Sequence, residues 1–187
     1  FGDYHVIGAI GVDAAGYKHV LGLAEGATEN AAVVKDLLED LVARGIDPKR
    51  KRLFVIDGSK ALRSAIDSVF GARNPVQRCR KHKSANVTDH LPKELRDWAK
   101  KVLQAAWRLE PSEGKKRIRQ LAQQLEVKYP SAAQSLREGL DEMFTVNAMG
   151  LPKELLRCLC TTNLIESPHS GVRMRTRRVC HWQNGQM

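Results

Sequence analysis

Arg52-Leu53-Phe54-Val55-Ile56-Asp57-Gly58-Ser59 carries the strongest strand signal in the chain. Four consecutive apolar residues, two of them β-branched, run into a carboxylate and then a glycine. A short unbroken apolar run of this kind predicts a central strand buried on both faces. A carboxylate at the carboxyl end of such a strand lies in the crevice where open α/β sheets hold their ligands. Taken alone, Asp57 reads more simply as a turn residue after a strand. What raises its interest is its company: a basic segment carrying Cys79-x-x-His82, and far downstream Thr161-Thr162-Asn163-Leu164-Ile165-Glu166.

Working outward, residues 4–12 and 17–23 read as strands joined by Asp13-Ala14-Ala15-Gly16, which has the turn chemistry of a β-hairpin. Asp13 is best explained as that turn's residue, and His5 and His19 as strand residues. Val33, Val34, Leu37, Leu38, Leu41 and Val42 recur at helical spacing, with Gly45 closing the helix. After the Asp57 strand, Leu62, Ala65, Ile66, Val69 and Phe70 mark a second helix ending at Gly71. Pro75–Cys79 reads as a further strand. The order strand, strand, helix, buried strand, helix, strand predicts an α/β sheet with an antiparallel edge.

From about residue 84 to 160 strand signals stop. Leu95, Trp98, Val102, Leu103, Ala106 and Trp107 mark one helix; Ile118, Leu121, Leu125 and Tyr129 a second; Leu136, Leu140, Met143 and Phe144 a third. Pro92, Pro111, Pro130 and Pro152 stand near successive helix starts, where proline is tolerated. The block is an all-helical insertion after the sheet, with Trp98 and Trp107 expected in its core. Glu166 then opens a last helical segment with Ser170, Arg173 and Arg177 on one face, although Pro168 interrupts it early. A carboxylate beside guanidiniums suits a metal site opening onto phosphates; a solvated basic helix would show the same spacing.

The chain has 187 residues, 42% hydrophobic and 28% charged, the profile of an ordinary globular protein. No apolar run approaches the ~20 residues that would cross a bilayer. Net charge is +10, and it is unevenly spread: residues 1–50 carry −3, whereas 51–90, 91–160 and 161–187 carry +6, +4 and +3. Basic excess thus begins at the Asp57 strand, which makes nucleic acid the leading partner. Cys79, Cys158, Cys160 and Cys180 are irregularly spaced and suggest reduced thiols rather than a disulfide framework. On these grounds we read Asp57 and Glu166 as parts of one metal site acting on DNA.

Four stretches together resemble a known family: Gly22–Asn30, Val55–Gly58, Val76–Lys83 and Thr161–Ser167 match, in order and spacing, the Mutator-type transposases of bacterial insertion sequences. The resemblance covers essentially the whole chain. It implies an RNase H-like mixed sheet flanked by helices, divided as 1–83 (core), 84–160 (helical insertion) and 161–187 (the glutamate helix and the start of a C-terminal region). It implies a DDE enzyme that cleaves DNA and transfers the freed strand to a target, with Asp57 and Glu166 as catalytic metal ligands. Two divalent ions, Mg²⁺ or Mn²⁺, would serve. Cys79 and His82 fall on the family's Cys-x-x-His signature and would support the site. A zinc site would need two close ligand pairs, and here Cys158-x-Cys160 and Cys180-His181 lie a helical block away. Arg80, Lys81, Lys83, Arg173 and Arg177 are expected to face DNA, both element ends and target. The family's first catalytic aspartate has no match in this chain, since neither Asp3 nor Asp13 stands in its motif; it is expected upstream of Phe1, leaving this fragment inactive by itself. The full protein is expected to be a bacterial cytoplasmic, nucleoid-associated homo-oligomer with no membrane association. The alternatives are a non-catalytic DNA-binding remnant and another RNase H-like nuclease or resolvase.

Overall fold

The computed structural model describes residues 5–26, 31–167 and 174. They include four strands, eight α-helices, a short 3-10 turn and a further helical stretch at 163–167. The strands are β1 (His5–Val12), β2 (Lys18–Gly26), β3 (Phe54–Ile56) and β4 (Val76–Arg78). The helices are α1 (Ala31–Ala43), α2 (Lys60–Phe70), α3 (Arg80–Asp89), α4 (Lys93–Ala106), α5 (Pro111–Leu125), α6 (Pro130–Arg137), α7 (Thr145–Ala148) and α8 (Lys153–Leu159), with the 3-10 turn at Asp141–Phe144. The fold is mixed α/β, with small sheets flanked by helices. The strands pair in twos among the described residues: β1 with β2 antiparallel, β3 with β4 parallel.

The chain divides into two compact units. The first takes the described residues of Phe1–Arg52, Ser59–Asn74 and Asn163–Met187. Its hairpin turns at Asp13, whose Oδ1 accepts from the amides of Ala15 and Tyr17, both at 2.9 Å. Asp13 is therefore the turn residue its sequence context predicts. Val34, Leu37, Leu38 and Leu41 of α1 and Ala65, Ile66 and Phe70 of α2 are buried, the apolar stripes their spacing foretells. Gly22 lets β2 approach α1: a Cβ there would stand 2.9 Å from Leu37 Cδ1.

The second unit comprises Leu53–Gly58 and Pro75–Thr162. Among the described residues the strands form two separate two-stranded sheets in place of the single sheet with an antiparallel edge that the sequence predicts, and the burial of the β3–β4 pair also differs from expectation. β4 is buried throughout, whereas in β3 only Ile56 is, with Phe54 and Val55 half-buried. The more enclosed strand is β4 because helical residues close over it: Thr145 Oγ1 donates to Val76 O at 2.6 Å, and Val146 N to Gln77 Oε1 at 3.1 Å.

The helical block packs Val87, Leu103, Ile118, Leu121, Leu136, Met143 and Phe144 into one core. Gly114 sits where α5 meets this core, and a Cβ would lie 2.6 Å from the carbonyl oxygen of Ala106. Three details differ from the sequence reading. Arg80–Asp89 is a full helix although it lacks apolar periodicity. The third helix is broken at Gly139 (φ 63°), which turns the chain from α6 into the 3-10 segment. Trp98 faces solvent, 41% exposed, while Trp107 packs against the core.

Candidate functional site

Within the second unit, the carboxyl ends of the two parallel strands deliver Asp57 and Cys79. The register pairs Ile56 with Arg78, and Cys79 N donates to Ile56 O at 2.7 Å, extending the ladder by one bond. Asp57 follows directly and is half-buried. The next residue, Gly58, has φ 115°, a conformation open to glycine and costly for others.

That glycine has a second reason to be there. A Cβ on Gly58 would stand 3.3 Å from Cζ and Nη1 of Arg78, and one on Gly139 would meet the same Cζ at 2.5 Å. The Arg78 guanidinium thus lies between two glycine backbones, one of them beside Asp57. Its charge is compensated by Glu142 (Nε to Oε2, 3.3 Å) and Glu138 (Nη1 to Oε2, 3.5 Å). Lys83 Nζ reaches the same Glu138 oxygen at 3.6 Å and donates to Ser135 O at 2.7 Å. A buried cation is tolerable only with such partners. Burial still pushes the Lys83 ammonium down to about 8, with Arg78 adding repulsion and Glu138 opposing both.

Cys79 caps α3 and places His82 one turn along it. The Cys79 side chain is fully buried. Its Sγ accepts from the amide and hydroxyl of Thr162 at 3.4 and 3.3 Å, and Thr162 Oγ1 lies 3.3 Å from His82 Nδ1. The Cys-x-x-His pair is therefore tied to the Thr161-Thr162 segment by side-chain bonds. Thr162 escaped the sequence reading although it stands inside a motif that reading singled out. Glu166 comes four residues later, half-buried, in the helical stretch 163–167.

The basic residues expected at DNA separate into two kinds. Lys81 is exposed. Lys83 is 1% exposed, with its ammonium enclosed by Ser135 and Glu138. The Arg80 guanidinium is also interior: it donates to Met143 O at 2.8 and 3.1 Å and to Asn147 Oδ1, and stacks over the rings of Trp107 and Phe144. Desolvation lowers its pKa from the ordinary arginine value. In this structure Arg80 and Lys83 are packing residues. Arg173, Arg177, Cys180 and His181 lie outside the described residues.

The carboxylates Asp57 and Glu166 are hard oxygen donors of the kind Mg²⁺ and Mn²⁺ accept, while Cys79 and His82 are a softer pair. The Cys79 sulfur is occupied as an acceptor from Thr162, which suits a pin between segments.

Comparison with known proteins covers nearly the whole chain. The family model described as "Transposase, Mutator family" matches residues 2–187. The chain is 33% identical over 171 residues to the transposase for insertion sequence element IST2 of Acidithiobacillus ferrooxidans, covering 91% of this chain and 56% of that protein. It is 31% identical over 169 residues to the transposase for IS6120 of Mycolicibacterium smegmatis (90% and 51%), and 29% over 175 residues to that for IS1081 of Mycobacterium tuberculosis (92% and 40%). The chain spans about half the length of these curated relatives.

Proposed function

Since the chain belongs to the Mutator family of transposases, we propose that it forms the catalytic portion of an insertion-sequence transposase that cleaves DNA at element ends and joins them to a target. Asp57 and Glu166 are the catalytic carboxylates in this proposal, with a third carboxylate supplied by the protein outside these 187 residues. The observation that carries the reading is the placement of Asp57 at the carboxyl end of the parallel pair β3–β4, next to a glycine packed on Arg78. The fold proposed is RNase H-like: a core in 1–83, a helical insertion in 84–160, and the glutamate segment in 161–187.

The chemistry is in-line displacement at phosphorus. A water oxygen bonds to the phosphorus of the scissile linkage as its P–O3′ bond breaks, leaving a 3′-hydroxyl and a 5′-phosphate. That hydroxyl then attacks a target phosphodiester, whose own P–O3′ bond breaks. Two divalent ions, when bound by the carboxylates, would supply charge neutralisation at the attacking and leaving oxygens. Asp57 holds its carboxylate at the strand end, where the Gly58–Arg78 packing fixes the backbone. The Cys79–Thr162–His82 bonds anchor the segment leading to Glu166. Lys81, Arg173 and Arg177 attract the phosphate backbone. Among the described residues no helix is long and apolar enough to cross a membrane, and a DNA-acting homo-oligomer would work at the bacterial nucleoid.

The test is cleavage of plasmid carrying element ends by the whole protein, with Mg²⁺ or Mn²⁺ and with chelator. Cleavage should require the ion and be lost in Glu166→Gln with DNA binding retained. Full activity in Glu166→Gln would overturn the assignment. Binding without cleavage in the unaltered protein would favour a DNA-binding remnant.

A further inference from the structure

An open groove of about 710 Å³ runs across the helical unit between α3, α4 and α8. Its cations are Arg80, Lys81, Arg96, Lys100, Arg108 and Arg157, and Asp89 is the one carboxylate of its lining. Arg96, Lys100, Gln104 and Trp107 stand at successive near-full turns of α4 and the turn after it, so their side chains form one row. At 1.5 Å per residue this row is about 16 Å long, comparable to four or five phosphates of one strand at 3.4 Å each. Lys81 from α3 and Arg157 from α8 flank it.

The groove is also pre-built. Its floor is the Arg80 guanidinium, fixed by Met143 O and Asn147 and stacked on Trp107. Arg96 is aimed by a 3.0 Å bond from its Nε to Leu91 O. Lys100, Arg108 and Arg157 are exposed, and none is paired with a carboxylate among the described residues. An open trough whose lining carries six cations and one acid fits a polyanion backbone.

We propose that the α3–α4–α8 groove, whose lining includes neither Asp57 nor Glu166, is a duplex-DNA backbone site on the helical block. It rests on the transposase reading for the identity of the polyanion, but its binding does not depend on Asp57 or Glu166. Contacts are made to phosphates without base readout, so affinity is independent of sequence and falls steeply with salt.

The test is fluorescence anisotropy of a labelled mixed-sequence duplex against this chain, from about 50 to 200 mM salt. A groove variant, Lys100→Gln/Arg108→Gln/Arg157→Gln, is compared with a control of equal charge loss, Lys116→Gln/Arg117→Gln/Lys128→Gln, all six residues being exposed. Thermal melts verify that both fold. The groove variant should lose about 2–3 from the slope of log K against log salt, close to 0.9 per phosphate contact removed. The control should lose little. Equal losses in groove and control variants would overturn the proposal, as would absence of duplex binding by the unaltered chain or preference for single-stranded DNA or RNA. Failure of catalysis with the groove effect intact would count against the catalytic carboxylates alone.

Discussion

Lys83 offers the most quantitative test of how the second unit is assembled. Its ammonium is buried among Ser135, Glu138 and Arg78, and its pKa falls from 10.5 to about 8, chiefly by desolvation. Above the folded-state value the native state releases this proton while the unfolded chain keeps it up to about 10.5. The unfolded state therefore binds more protons in that window, and stability rises with pH. Below pH 8 both states are protonated and the full cost of burying the charge is present; above 10.5 it is gone. The interval corresponds to roughly 3 kcal/mol. Lys83→Met keeps the stem and removes the titration. Urea unfolding at intervals from about pH 7 to 11 should show the unaltered protein gaining about 3 kcal/mol relative to the variant across the window. DNA-binding slopes should match, since the ammonium does not face solvent. A constant stability difference across the window, or a shallower salt slope in Lys83→Met, would refute the interior role.

Other substitutions probe the same frame. Gly58→Ala forces a Cβ into a φ of 115° and within 3.3 Å of Arg78; it should cost about 1–3 kcal/mol in urea unfolding and reduce cleavage more than the remaining folded fraction explains. Gly114→Ala places a Cβ 2.6 Å from Ala106 O. Overpacking of about 1–3 kcal/mol outweighs a helix-propensity gain of about 1 kcal/mol, so the melting temperature should fall. Thr162→Val removes the hydroxyl between Cys79 and His82. It should lower stability by about 1–3 kcal/mol in urea unfolding, because buried polar partners lose the hydroxyl that joined them.

How much of this was legible in the sequence depends on whether the signal was local. α1 and α2 carry apolar residues at helical spacing and lie where that spacing indicates. α3 reads Arg-Lys-His-Lys-Ser-Ala-Asn-Val-Thr-Asp, and its helicity is imposed by packing of Val87 and by bonds from Arg80 and Lys83 to distant carbonyls. The same bonds explain why a basic run that looked like surface is half interior. Their partners, Ser135, Glu138 and Met143, lie more than fifty residues on, beyond any window of periodicity. The break at Gly139 is similar: the glycine is visible in sequence, but its purpose is contact with the Arg78 side chain. The position of Asp57 at the carboxyl end of β3 was legible because strand, carboxylate and glycine are contiguous. The Thr162 link to the Cys-x-x-His pair was not, because nothing local to residue 162 reveals what lies eighty residues upstream.

The most direct test of the account is a paired measurement on Asp57→Asn in the whole protein: DNA affinity, and cleavage at element ends in Mg²⁺. The substitution keeps the shape and removes the charge on which ion binding depends. Affinity should be unchanged and cleavage reduced by at least about a hundredfold. Cleavage within a few-fold of the unaltered protein would contradict it.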